Sequence, residues 1–254
     1  MKMGRGAAPG LLMSLMAAAV PLVSEAQQFF DHAVWDGLLR RHVQAGLVDY
    51  AGVAKERETL DRYLASVAEV SPSQWPSKQA QLAFWINAYN ACVFKGVLEH
   101  SPLKSVKDVK GFFDKIRYRV AGRDLVLNEI EAQGRALGDW RVHVGVVCAS
   151  SSCPPIRAEA YVPDRLEAQL TEQVTQFFND PQRGLRREAN TLWLSKIFKW
   201  YAPDFVPGGK LMSESLLPVI TPYVEAAVAQ AIAQQKPTLK FLDYDWSLNG
   251  QVKR

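Results

Sequence analysis

Cys148, Cys153, His143, Glu131, Asn87 and Asn90 are the residues of this 254-residue chain whose types and spacing can do chemistry. Cys148 and Cys153 are separated by Ala-Ser-Ser-Ser. That spacing leaves three uses open. A thiolate can attack an electrophile if a base or hydrogen-bond donors activate it. The two thiols can join across the short loop, a cross-link worth about 2 kcal/mol in the chain-entropy picture, and in an exported chain this bridge is the expected state of the pair. They can also be half of a zinc site, but a full site needs two more ligands and only His143 is near in sequence, so no metal and no cofactor is assigned. Cys92 falls in an apolar run and is read as an inert packed thiol.

A Cys148–His143 nucleophile and base is the tempting pair. Residues 141–148, Arg-Val-His-Val-Gly-Val-Val-Cys, read as the strongest strand of the chain. Residues five apart on a regular strand point to opposite faces and sit ~16 Å apart along it. A base must come within roughly 3 Å of its nucleophile. The pair therefore requires a sharp bend, for which Gly145 is the one candidate; otherwise the base is another group. Arg141 shares a strand face with His143. Glu131 could partner either, although it also falls at the capping-box position of a helix with Asn128 as N-cap. The asparagines lie one turn apart on a helix, and their amides either bond loop backbone or line a polar cleft and orient a substrate.

Several chemistries are not written in the sequence. It has no G-x-S-x-G elbow, no H-E-x-x-H, no phosphate-binding loop and no dinucleotide fingerprint. Thirty Lys and Arg stand against 26 Asp and Glu, too weak a balance to imply nucleic acid. The basic stretch over 104–123 interleaves with a hairpin pattern and reads as a solvated face.

The elements that must position these residues follow from hydrophobic periodicity. Helices are expected over 29–43, 54–70 and 164–178, with a further helical stretch over 214–235 that Pro218 and Pro222 break. Ser77 caps a helix running to His100, apolar nearly all round and hence central. Residues 117–127 form a hairpin and 191–194 a strand. Ser195 caps a short aromatic helix, and 239–246 is a strand docking back on the body. Strands are few and irregularly spaced among helices. The expected fold is α+β: a helix-rich domain around a small, mainly antiparallel sheet with a buried central helix. Residues 1–26 read as a signal peptide, with a basic start, an apolar 11–23 run and small residues before a cut after Ala26. Residues 27–254 then form one globular domain, periplasmic or secreted, with no transmembrane segment.

The motifs 83–91 (Ala-Phe-Trp-Ile-Asn-Ala-Tyr-Asn-Ala), Ile130-Glu131, Arg141-Val142-His143, 148–155 and 244–249 together resemble the family called domain of unknown function 547, over residues 31–249. That family has no established activity. The resemblance implies special roles for Asn87, Asn90, Glu131, Arg141, His143, Cys148 and Cys153. A histidine that usually follows the glutamate is Ala132 here, which removes any mechanism through it. Fusion of some plant members to glutaredoxin-like modules points toward thiol chemistry.

Two classes of function follow. One is a hydrolase or acyl transferase with a cleft where His143, Glu131 and Cys148 are catalytic and Asn87, Asn90 and Arg141 orient a small-molecule substrate. The other is a non-catalytic module that grips an envelope component through the same cleft or through Trp193, Trp200, Tyr201 and Trp246. A thiol–disulfide redox role for Cys148 and Cys153 is the third possibility.

Overall fold

The fold is arranged around one helix, and Ser77 starts it. The Ser77 Oγ accepts a hydrogen bond from the Ala80 N–H at 3.0 Å, pairing one of the donors a helix start leaves open. The helix Lys78–His100 carries an unbroken buried run from Leu82 to Phe94. A helix apolar on all sides must be covered on all sides. The helices Arg57–Glu69 and Leu127–Arg135 pack against it. The computed structural model describes residues 30–71 and 75–251; the leader expected over 1–26 lies outside them. No described helix is long and apolar enough to cross a membrane.

The class is α+β, but the strands form three small sheets in place of one. Val43–Gln44 pairs antiparallel with Leu47–Asp49, and Gly250–Gln251 adds in parallel. Arg117–Val120 and Arg123–Val126 make the expected hairpin. Leu185–Glu188, Thr191–Leu194 and Thr238–Phe241 make the third sheet, again with one parallel pair. The turn between the first two strands places Ala45 and Gly46 at φ +49° and +76°. A Cβ on Gly46 would also stand 2.4 Å from the Pro155 Cβ, so only glycine fits there.

Buried side chains form two clusters. One surrounds the central helix. The other joins the helix Leu166–Phe178, the third sheet and the C-terminal helices. The expected strand over 141–148 runs between them and is not a strand. Val142–Gly145 is a single helical turn, followed by extended Val146. Val142, Val146 and Val147 are buried in the first cluster and Val144 in the second. The valine-rich composition thus serves two-sided burial, which hydrophobic pattern alone does not distinguish from a buried strand. Asn90 replaces the missing strand partner: its Nδ2 donates to the Gly145 carbonyl at 2.9 Å, and its Oδ1 accepts from the Val147 N–H at 2.8 Å. Gly145 permits the approach, since a Cβ there would lie 2.9 Å from Ile86 Cδ1.

Other expectations shift for local reasons. The helix expected over 54–70 is two, Tyr50–Lys55 and Arg57–Glu69, divided at Glu56. The stretch over 214–235 breaks at Thr221–Tyr223, while Pro218 stays inside the helix Ser213–Ile220. The helix after the hairpin begins at Leu127, before Asn128 can cap it. Its capping carboxylate is Glu129, whose Oε2 accepts from the Val126 N–H at 2.9 Å. Glu131 is thereby released from the capping role.

Beyond Phe241 the tail leaves its strand and crosses the 149–153 loop. Ser151 N–H donates to the Ser247 carbonyl at 2.8 Å, Ser152 N–H to Asp245 at 3.2 Å, and Asn249 N–H to Ala149 at 3.1 Å. This crossing carries Tyr244 and Trp246 to the cysteines.

Candidate active site

The two apolar clusters meet at a cleft of about 230 Å³. From the central helix comes Tyr89, and from the next helix Asn128 and Glu131. The helical turn gives His143, the segment after it Val146 and Cys148, the loop Cys153, the aromatic helix Ile197, Trp200 and Tyr201, and the tail Tyr244 and Trp246. His143 and Cys148 therefore share one cleft, and the bend that makes this so ends at Gly145.

Cys148 is half-buried and Cys153 buried, and both are free thiols. Their sulfur atoms stand 2.9 Å apart. Cys148 Sγ also lies 3.1 Å from Ser150 Oγ and 3.2 Å from Tyr244 Oη, and the Ser150 hydroxyl donates to Tyr244 at 3.1 Å. Ala149, between the cysteine and the serine, is left-handed with φ +60°. A non-glycine residue held there stores roughly 1 kcal/mol or more of strain and marks a segment its surroundings over-determine. Burial pushes the Cys148 thiol up, but hydrogen bonding with Cys153, Ser150 and Tyr244 outweighs it and holds it below the ordinary thiol range. The same burial, together with the neighbouring Cys148, drives the Cys153 thiol well above its ordinary range. The dithiol is thus asymmetric, with Cys148 the more readily ionised member.

Glu131 and His143 form a second group. His143 Nε2 lies 2.8 Å from Asp204 Oδ2, and its Nδ1 3.7 Å from Glu131 Oε1. Asp204 is held in turn by Arg135, at 2.6 Å from Nε and 3.1 Å from Nη2. The ring stacks on Tyr201 with centroids 4.1 Å apart. Burial lowers the imidazole to about 4, against the pull of Asp204. A neutral ring donating Nε2–H to Asp204 leaves an Nδ1 lone pair facing Glu131. Glu131 is buried, and its Oε1 accepts no hydrogen bond. Burial raises its pKa, opposed by the Tyr201 hydroxyl and Arg135 and assisted by Asp204. Hydrogen bonds from Arg135 keep Asp204 ionised below the usual carboxylate range.

Three residues expected to orient a substrate are engaged elsewhere. Asn87 clamps the Tyr161 backbone: Nδ2 donates to its carbonyl at 2.7 Å and Oδ1 accepts from its N–H at 3.0 Å. Asn90 holds Gly145 and Val147 in the same way. Both fix backbone and neither lines the cleft. Arg141 faces a different depression, bridging Asp139 at 2.8 Å and Glu167 at 2.5 Å. Cys92 is fully buried in the central helix, its thiol pushed up by burial.

Ser150, Tyr244, Arg135 and Asp204 are partners the sequence reading did not single out as site residues, and Tyr201 stood only in the aromatic set of the binding reading. Only the first two had a signal, inside the serine loop and the Tyr244-Asp245-Trp246 tail motif. Among the described residues no cluster of three or more His, Cys, Asp and Glu could hold a metal.

Residues 72–178 match the family model described as Protein of unknown function, DUF547. The resemblance read from residues 31–249 is thereby shown over that narrower stretch. It contains Glu131, His143, Cys148 and Cys153 and stops short of Asp204 and Tyr244. No curated protein and no solved structure matches the chain.

Proposed function

We propose that this chain is an exported, thiol-dependent enzyme of the hydrolase or acyl-transferase class, with Cys148 as nucleophile and Glu131 as proton carrier. The observation that carries the reading is the ring of hydrogen-bonding partners around Cys148 Sγ, at 2.9 to 3.2 Å, inside a cleft. Such a ring favours thiolate at neutral pH, and the thiolate is the attacking form. In the first step Cys148 sulfur bonds to a substrate carbonyl carbon and the bond to the leaving nitrogen or oxygen breaks. The leaving atom takes the proton of the Glu131 carboxyl, whose pKa is raised for that duty. In the second step water, or another acceptor hydroxyl or amine, attacks the thioester. Its proton returns to Glu131, and Cys148 departs as thiolate. His143 acts on Glu131 as a positioning residue, held by Asp204 in the tautomer that turns Nδ1 toward the carboxyl.

Mass spectrometry after brief incubation with an activated aryl ester tests this. One acyl increment is expected on the peptide carrying Cys148, and none on Cys92 or Cys153. An unmodified Cys148 in folded protein contradicts the reading. A second reading rests on the 2.9 Å between the sulfurs. A small-molecule disulfide, reduced to two thiols, would take two hydrogens from the pair and leave a Cys148–Cys153 bridge at ~2.05 Å. The same spectra report it: alkylation of unfolded, unreduced protein labels three cysteines if the pair is open and Cys92 alone if it is bridged.

A further inference from the structure

The cleft has a chemical character that the proton-transfer scheme does not use. Six of its lining residues are aromatic: Tyr89, Phe113, Trp200, Tyr201, Tyr244 and Trp246. Three of them form a continuous platform. Trp200 stacks on Trp246 with centroids 5.9 Å apart, and Tyr244 lies 4.8 Å from Trp200 and 4.7 Å from Trp246. No lysine or arginine is among the lining residues. Glu131, more than nine-tenths buried, also lines this space, and its Oε1 accepts no hydrogen bond.

We infer that the cleft binds a cationic amine, an ammonium or quaternary ammonium group seated against the ring faces of Trp200, Tyr244, Trp246 and Tyr201, with the Glu131 carboxyl at its edge. The inference names a substrate class for the site proposed above and rests on that reading for the reaction, though not for the binding. Aromatic faces carry a negative quadrupole that attracts cations, most strongly when water is excluded. These rings already do so toward the protein's own cations: Lys107 Nζ lies 4.4 Å from the Trp246 ring centre, and the Arg135 guanidinium 4.8 Å from that of Tyr201. A buried acceptor left unpaired is costly, and a cation beside Glu131 removes that cost. An anionic substrate would meet a carboxyl and no lining cation.

Calorimetry on the Cys148→Ala protein, which cannot form a thioester, tests the binding alone. The probes are choline, its uncharged isostere 3,3-dimethylbutan-1-ol, and 3,3-dimethylbutanoate. Choline is expected to bind roughly tenfold tighter than the alcohol, the size of a partly desolvated cation–π contact, and the carboxylate weakest. Glu131→Gln, which keeps the shape of the side chain and an acceptor oxygen, should leave most of the preference, because the rings supply it. Trp246→Leu should weaken choline more than the alcohol, and it keeps the test intact should the glutamine variant fold poorly. Equal binding of choline and the alcohol, or tightest binding of the carboxylate, overturns the inference. Acylation of Cys148 without choline preference would refute the ligand class alone. Choline preference without acylation would refute the chemistry alone.

Discussion

Asn90→Ala should cost about 2–6 kcal/mol of stability and disable Cys148 together. The Asn90 amide pairs the Gly145 carbonyl and the Val147 N–H. Removing it leaves a buried acceptor and a buried donor with no strand neighbour, each costing about 1–3 kcal/mol. Water does not easily replace the amide, because Gly145 and Val147 are buried. Asn87→Ala is the matched control. It strands the carbonyl and N–H of Tyr161 and should destabilise to a similar degree. It leaves the His143 turn and the approach to Cys148 alone. Urea unfolding should therefore show both midpoints falling with unchanged slope. Native-state Cys148 reactivity should survive in Asn87→Ala and be lost in Asn90→Ala. Equal reactivity in the two variants would show that Asn90 does not set the cleft.

The protein should also lose several kcal/mol of stability between pH 7 and pH 4, because two histidines are buried neutral. Burial lowers His32 to about 4 against the pull of Asp31, and lowers His143 to about 4 against Asp204. His32 sits with Nδ1 2.8 Å from Tyr63 Oη. The unfolded chain takes a proton on each near 6.5, whereas the folded chain refuses it until about pH 4. The unfolded state is thus favoured progressively as pH falls through that window. Each histidine contributes on the order of 3 kcal/mol at ~1.4 kcal/mol per pH unit. Glu131 opposes them: its raised pKa means the folded state takes that proton first. Urea midpoints at pH 7.5 and 4.5 measure the balance, and His32→Gln should roughly halve the loss. A midpoint unchanged across the window would show that the imidazoles are solvated.

How much of this was legible depended on whether a feature's cause is local. Ser77 and the continuous apolar run define the central helix without outside help. The 117–126 hairpin follows from its turn. The segment 142–147 does not, because its valines are set by two clusters distant in sequence and its backbone partner is a side chain on another helix. The helix start at Leu127 lies one residue before the expected Asn128 cap. The cap thus moves two residues, from Asn128 to Val126, which hands the capping role to Glu129 and frees Glu131 for the cleft. The site's remaining members are joined over long separations, 61 residues from His143 to Asp204 and 96 from Cys148 to Tyr244. No periodicity encodes such pairs. The strand geometry that kept Cys148 and His143 apart was sound for a strand, and the helical turn is what sets it aside.

The pH dependence of Cys148 alkylation in the native protein tests the central claim most directly. Iodoacetamide reacts with the thiolate, so the rate, followed by mass spectrometry of the Cys148 peptide, traces its ionisation. With Cys153, Ser150 and Tyr244 around the sulfur, the rate should reach half its maximum clearly below the range of an ordinary cysteine. Cys153 should remain unlabelled, since its thiol is buried and pushed well up. A midpoint at pH 8.5 or above, the range of an ordinary cysteine, or labelling of Cys153 before Cys148, would contradict the account.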